Sequence, residues 1–242
     1  MYKHTPALTA ASLLHFLINA LKQYFFLFYV KTILMNKRIL LLLLCSFLLL
    51  FQACKKDKTP DPVPEQKEQI IEIKTNFGYI YVWLYKETPL HRANFLKLAG
   101  EGFYNQTTFH RIIQGFMIQG GDPYSKDSDS TNDGYGGPGY TIPAEFVDTL
   151  KNVRGALATA RDGNPQKASN GSQFYINLVH NTSLNQNYTV FGFVMKGIEV
   201  ADQIVIQPKD SDDRPLTNIT MQVAILEKTK AEILAEYGYT VK

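Results

Sequence analysis

Arg111 is the residue whose setting in this chain most calls for a chemical explanation. It stands inside Phe109-His-Arg-Ile-Ile-Gln-Gly-Phe-Met-Ile-Gln-Gly-Gly-Asp122, a run that otherwise has the composition of buried β-structure. Side chains on a strand alternate between faces, so Phe109, Arg111 and Ile113 share one side. After a tight turn at Gln114-Gly115, Met117 and Gln119 share one side of the next strand. A guanidinium is seldom buried without a partner. A hairpin that sets it beside Met117 and Gln119 therefore describes a pocket floor with one cation, a few amide groups and much apolar surface. His110 falls on the side opposite Arg111 and is expected as a hydrogen-bonded core histidine. A second run, Ser169-Asn-Gly-Ser-Gln-Phe-Tyr175, follows about fifty positions later. Its Ser172 is a poor nucleophile candidate, because Asn-Gly-Ser-Gln lacks the G-x-S-x-G elbow and no His–Asp pair accompanies it.

The elements that must position these residues are mostly strands. Ile71 and Ile73 alternate, and the turn Asn76-Phe77-Gly78 leads into a strand over residues 79–85. A helix is predicted over residues 88–99, with Thr88 as N-cap and Pro89 at the first helical position. Leu90, Ala93, Asn94, Phe95, Leu98 and Ala99 give it a partly apolar face. Residues 152–160, 172–178, 190–194 and 221–226 read as further strands, and 198–205 as a second helix. Many short strands with Gly-rich turns argue for a closed barrel or a sandwich. Residues 124–133 (YSKDSDSTND) are polar and acidic. Asp129, Thr131 and Asp133-Gly134 echo a calcium loop, but Tyr140 stands where a bidentate Glu is needed, so an EF-hand fails and a mobile surface loop is the default. Residues 134–139 lack the lysine and strand-turn-helix context of a phosphate loop and read as a turn.

The amino terminus belongs to targeting rather than to the fold. Met35-Asn-Lys-Arg38 followed by residues 39–51 is a short basic region and then 13 mostly apolar residues. That suits a secretory signal and is short for a bilayer span. It ends at Phe51-Gln-Ala-Cys54, which resembles a bacterial lipoprotein cleavage site, making residues 35–53 the signal peptide and Cys54 the lipidated first residue. An uncleaved membrane anchor is the alternative. Residues 1–34 then read as a mis-assigned upstream extension, since His15, Asn19 and Lys22 make 7–30 a poor transmembrane helix; a two-helix anchor is the alternative. Residues 55–68, KKDKTPDPVPEQKE, form with Cys54 a Pro-rich linker that at roughly 3 Å per residue reaches about 40 Å. The net charge of +3 includes five Lys/Arg and no acids before Cys54, leaving 20 basic against 22 acidic residues, or −2. The basic balance thus gives no reason to expect nucleic acid as a partner. Cys45 and Cys54 are the two cysteines, so the domain has no disulfide framework. Around 170 residues can bury a single core without one.

The two runs, in order with Asn76-Phe77-Gly78, Gly139-Tyr-Thr-Ile-Pro143 and Val190-Phe-Gly192, resemble the cyclophilins, the peptidyl-prolyl cis-trans isomerases. The resemblance covers residues 69–227, leaving 228–242 as a tail with a short helix around 231–237. It implies a mainly β fold: a closed eight-stranded antiparallel barrel with two capping helices. It also implies isomerisation of X-Pro bonds without cofactor or metal, and with the signal at residues 35–53 the substrates are expected to be exported polypeptides. The barrier to that rotation, about 18–20 kcal/mol, reflects amide resonance, and at the twisted transition state the proline nitrogen regains a lone pair. A donor aimed at that nitrogen binds the transition state selectively. By resemblance Arg111 takes this role, and Phe116, Met117, Tyr175, Leu184 and Tyr188 line the proline slot. Gln119 and Gln173 orient the arginine and the substrate backbone, while Ala160 and Arg161 pair with the peptide main chain. A non-catalytic proline-peptide binding module or holdase on the same fold is the alternative.

Departures from the family pattern carry their own expectations. Tyr175 replaces a common phenylalanine and adds a hydroxyl at the pocket. Tyr188 stands where histidine is frequent, Arg161 where asparagine is. Ser183 occupies the place of a tryptophan important for cyclosporin binding, so weak inhibition is expected. Placement is expected to be an outer-membrane lipoprotein facing the periplasm, with surface display open, and the domain is expected to be a monomer.

Overall fold

The computed structural model describes residues 10–33 and 65–241. The signal segment, Cys54 and the linker up to residue 64 lie outside the described residues. The chain divides into two units, Met1–Val63 and Pro64–Lys242. In the first, α1 (Ala10–Ile33) exposes Phe16, Tyr24, Phe25 and Phe28. No helix among the described residues is long and apolar enough to cross a membrane.

The second unit is built on one antiparallel sheet of eight strands. Its strands are β1 (Lys67–Thr75), β2 (Gly78–Leu84), β3 (Arg111–Ile113), β4 (Met117–Gly120), β6 (Ala156–Thr159), β8 (Phe174–Asn177), β9 (Val190–Lys196) and β10 (Met221–Thr229). A separate two-stranded sheet pairs β5 (Thr141–Ile142) with β7 (Ser169–Asn170). The main sheet runs β10-β1-β2-β9-β6-β8-β4-β3. It stays open, which corrects the closed barrel expected above. β3 has three residues, and the segment before it meets the approach to β10 through one bridge, Thr108 to Thr220, flanked by a few backbone hydrogen bonds. A ladder needs consecutive pairs, and that seam supplies none.

Burial on both faces explains why several strands lack clean alternation: β6 and β8 are buried at every position. One face carries the main core, with Ile71, Ile73, Val82, Leu84, Ile112, Ile118, Leu157, Phe174 and Ile176, covered by α2 (Pro89–Gly100) and α3 (Ile198–Val205). On the other face, Met117, Ala158, Tyr175 and Val190 form a second cluster under the pocket. Further along that face Ile70, Trp83, Ile233 and Val241 form a third. The last is sealed by α4 (Lys230–Tyr237), a third helix of this unit, whose Thr229–Glu232 capping box fixes its start directly at the end of β10.

The start of α2 differs from expectation. Thr88 precedes Pro89 but makes no side-chain cap; its hydroxyl donates to Tyr85 O at 3.4 Å. The cap comes from Glu145, whose carboxylate accepts from Leu90 N–H at 3.0 Å and His91 N–H at 2.9 Å. His91 Nδ1 lies 2.6 Å from the same carboxylate, and His91 Nε2 lies 2.9 Å from Ser169 Oγ. A carboxylate only accepts, so Nδ1 carries the proton and Nε2 accepts from the serine. Burial outweighs the adjacent carboxylate and holds the His91 pKa below its ordinary value, keeping the ring neutral.

Candidate active site

The hairpin expected from the sequence is present, and it sets Arg111 directly opposite Gln119, with Ile113 opposite Met117. Ile112 and Ile118 point into the main core, which turns Arg111, Ile113, Met117 and Gln119 to the other face. The strand begins only at Arg111, so alternation cannot be carried back to the two residues before it. Phe109 consequently drops into the core instead of sharing the face of Arg111. The paired glycines that follow the hairpin are required by close approach. A Cβ at Gly120 would lie 2.8 Å from Thr108 O, and one at Gly121, where φ is +86°, 2.5 Å from Ser172 O.

A cavity of about 730 Å³ opens on this face, within the range typical of ligand sites. Its wall includes Arg111, Phe116, Met117, Gln119, Ala160, Arg161, Tyr175, Leu184 and Tyr188. These are all the pocket residues singled out in the sequence except Gln173. Among the described residues Arg111 pairs with no carboxylate. The apolar floor is the second cluster, where Met117 and Tyr175 are buried and Phe116, Leu184 and Tyr188 half-buried against them. Tyr175 and Tyr188 meet edge to face at 6.0 Å. The Arg161 guanidinium lies 4.8 Å from the Tyr188 ring centroid while its Nε donates to Asn187 O at 2.7 Å, so this cation forms part of the rim.

Gln173 stands behind the wall and positions what lines it. Its Oε1 accepts from Gln119 Nε2 at 3.0 Å, and its Nε2 donates to Gly134 O at 2.9 Å and Gly136 O at 2.8 Å. Gln119 is thereby held at its place across from Arg111. Three sequence expectations need revision. The Tyr175 hydroxyl is not presented to the pocket; it is bonded to Asn152 Oδ1 at 2.9 Å, and burial pushes its pKa far up. Ala160 already uses its main-chain groups, with N–H to Gln173 O at 3.0 Å and C=O from Asn170 N–H at 2.9 Å. The Ala160 N–H is thus committed to Gln173, while its C=O keeps a second lone pair. His110 is no hydrogen-bonded core residue: it lies on the cavity wall at 5% exposure with neither ring nitrogen partnered.

The cavity also has a wall that sequence reasoning missed. Ser130, Thr131, Asp133, Gly134 and Tyr135 come from the acidic loop, and Asp210, Asp212 and Arg214 from the loop before β10. The first is a surface loop, as expected, and its two ends are held together. Asp122, fully buried, accepts from Tyr124 N–H at 2.8 Å, from Gly134 N–H and from Gly136 N–H at 3.2 Å, drawing its two ends together. The signal was present in the spacing of Asp122 and the glycines, but a carboxylate reaching twelve residues on has no local pattern. Asp129 caps its own turn through Thr131. Among the described residues no group of three or more His, Cys, Asp or Glu side chains is placed to hold a metal ion.

Residues 70–225 match the family model of the cyclophilin type peptidyl-prolyl cis-trans isomerases. Among curated proteins, the chain is 42% identical over 157 residues to peptidyl-prolyl cis-trans isomerase-like 3 of Dictyostelium discoideum, covering 63% of this chain and 91% of that one. It is 36% identical over 174 residues to a peptidyl-prolyl cis-trans isomerase of Acinetobacter baylyi, covering 66% and 88%. Among solved structures, it matches a cyclophilin type isomerase of Cryptosporidium parvum, crystallised in the presence of the dipeptide Ala-Pro, with a TM-score of 0.59 and 33% identity. That match covers 66% of this chain and 99% of the other.

Proposed function

From the premise that this chain belongs to the cyclophilins and is a cyclophilin-type peptidyl-prolyl cis-trans isomerase, we propose that Arg111 is the group that lowers its barrier. The proline ring of the substrate enters the slot formed by Phe116, Met117, Tyr175, Leu184 and Tyr188. Arg111, at the edge of that slot, donates to the proline nitrogen as the imide twists and the nitrogen becomes pyramidal. The planar ground state has no lone pair there to accept, so the bond forms selectively in the transition state. A guanidinium suits the role because it stays charged and its donors are fixed in a plane. Gln119 keeps its place through Gln173, and Arg161 offers its main chain to the peptide.

The observation that carries this reading is a guanidinium with no carboxylate partner among the described residues, on the wall of a cavity whose slot is apolar. Replacing Arg111 by Ala should lower kcat/KM in a protease-free proline-peptide isomerisation assay about a hundredfold, the usual consequence of losing one preorganised transition-state donor. Arg111→Lys should recover little of it, since a point charge lacks the planar fork. Near-parental turnover by Arg111→Ala would remove Arg111 from the mechanism.

The substrates we propose are proline-containing exported polypeptides, met outside the cytoplasm by a domain tethered through lipid on Cys54 and the Pro-rich linker. Support comes from the basic-apolar-cysteine order of residues 35–54. Radiolabelled palmitate should enter the protein and be lost in Cys54→Ala; labelling that survives the substitution refutes the anchor.

A further inference from the structure

The cavity is longer than a proline slot requires, and its far half has a chemistry of its own. In the sheet, β8 and β4 stand between β6, which leads into the Ala160–Arg161 rim, and β3, which carries Arg111. Beyond Arg111 the wall passes to two loops, one supplying Asp133 and the other Asp210, Asp212 and Arg214. The second loop is fastened to β3: Ile112 N–H donates to Asp213 O at 2.8 Å, and Lys209 Nζ to Ile112 O at 3.0 Å. Arg214 Nε donates to Asp133 at 2.6 Å and joins the two loops. That ion pair consumes Asp133 and Arg214, and Lys209 pairs with Asp213 at 2.6 Å. Asp210 and Asp212 remain at the mouth without an ion-pair partner among the described residues, two negative charges against the unpaired cation Arg111. The Asp210 carboxylate accepts from the N–H groups of Asp212 and Arg214, which holds it in place without neutralising it.

The floor of this lobe is His110. Buried polar groups are normally satisfied, and each exception calls for a cause. Here a residue of the cavity wall has two shielded ring nitrogens with no partner at hydrogen-bond geometry among the described residues. Burial outweighs the pull of Asp122 and Asp133 and keeps the ring neutral, so it offers one acceptor and one donor.

Resting on the isomerase reading of the site, we infer that this lobe is a specificity subsite for a basic side chain, lysine or arginine. The substrate carries that side chain on the flank of its proline remote from the Ala160–Arg161 rim. A cationic guest meets Asp210 and Asp212 at the mouth, above a neutral imidazole that adds no repelling charge. An acidic guest meets the same two carboxylates as repulsion, and discrimination of this kind rests as much on the disfavoured partner as on the favoured one.

The test uses the full chain and peptides sharing one Ala-Pro core, with Lys, Ala or Glu placed two positions from the proline, first on one flank and then on the other. Turnover is read by exchange spectroscopy without a coupling protease. The expected result is a Lys:Glu ratio of kcat/KM of about three to five on one flank and near unity on the other, the scale of an exposed charge pair. Asp212→Lys, at an exposed side chain with no partner among the described residues, should invert that ratio. A ratio near unity on both flanks while the Ala peptide turns over overturns the subsite alone, as does a ratio indifferent to Asp212→Lys. Absence of turnover with every peptide sinks the isomerase reading of the site and the subsite with it.

Discussion

Replacing Glu145 by Ala should destabilise the domain far more than a partly exposed loop glutamate ordinarily would. The carboxylate caps α2 from 55 residues away through Leu90 N–H, and it accepts from His91 N–H and from the buried imidazole. Loss of a helix cap costs about 1 kcal/mol. Leaving the buried His91 Nδ1–H without an acceptor costs about 2 kcal/mol more. The sum, about 3 kcal/mol, should appear in urea titration at pH 8 as a lower midpoint with an unchanged slope. It should lower Tm by roughly 6–12 °C for a domain of this size. A double-mutant cycle separates the two parts. With His91 already replaced by Phe, Glu145→Ala should cost only the cap, about 1 kcal/mol, so the coupling is about 2 kcal/mol. A loss below about 1 kcal/mol in the parent background, or no coupling to His91, would refute the assignment of the cap and the imidazole bond to this carboxylate.

Stability should also fall as the solution is acidified from neutrality. Burial places the folded-state pKa values of His91 and His110 below the ordinary 6.5. The unfolded chain therefore binds more protons as pH drops through about 6.5 and below, and stability declines with a slope of up to about 2.7 kcal/mol per pH unit for the two rings together. A flat midpoint between about pH 7.5 and 5.5 would contradict that. Ile233→Ala should cost about 3 kcal/mol in the same titration, because this fully buried side chain joins α4 to Ile70 and Trp83; a cost below about 1 kcal/mol would make the helix an appendage. Cyclosporin should inhibit turnover weakly, given Ser183 where sensitive relatives carry tryptophan, and low-nanomolar inhibition would overturn that expectation.

How far the sequence revealed this site depended on the distance over which each contact acts. The Arg111–Gln119 pairing was legible because a tight turn and strand alternation determine it within nine residues. α3 was legible for the same reason, its apolar positions falling at helical spacing. The β6 segment was read too long: the strand is Ala156–Thr159, and Asn152 to Gly155, with Val153 their one apolar side chain, run through a turn at Arg154–Gly155 into it. Alternation misplaced Phe109 and His110 because it was extended beyond the three residues that form β3. The Glu145 cap, the Gln173 anchor and the wall contributed by Asp210 and Asp212 depend on folding distant segments together, and no local period records them. The open seam was equally hidden: it turns on a strand being three residues long, not on its composition.

Asp122 has a consequence for how this protein can be altered. By gripping Tyr124, Gly134 and Gly136 with one carboxylate, it ties the stretch between them into a ring with a rigid neck. The tip, residues 127–132, hangs from that neck at the mouth of the cavity. It can be lengthened, shortened or rewritten as an exchangeable cassette while the hairpin beneath keeps its register. Libraries grafted between Lys126 and Asp133 would reshape the cavity mouth while leaving Asp122 and its three N–H partners in place.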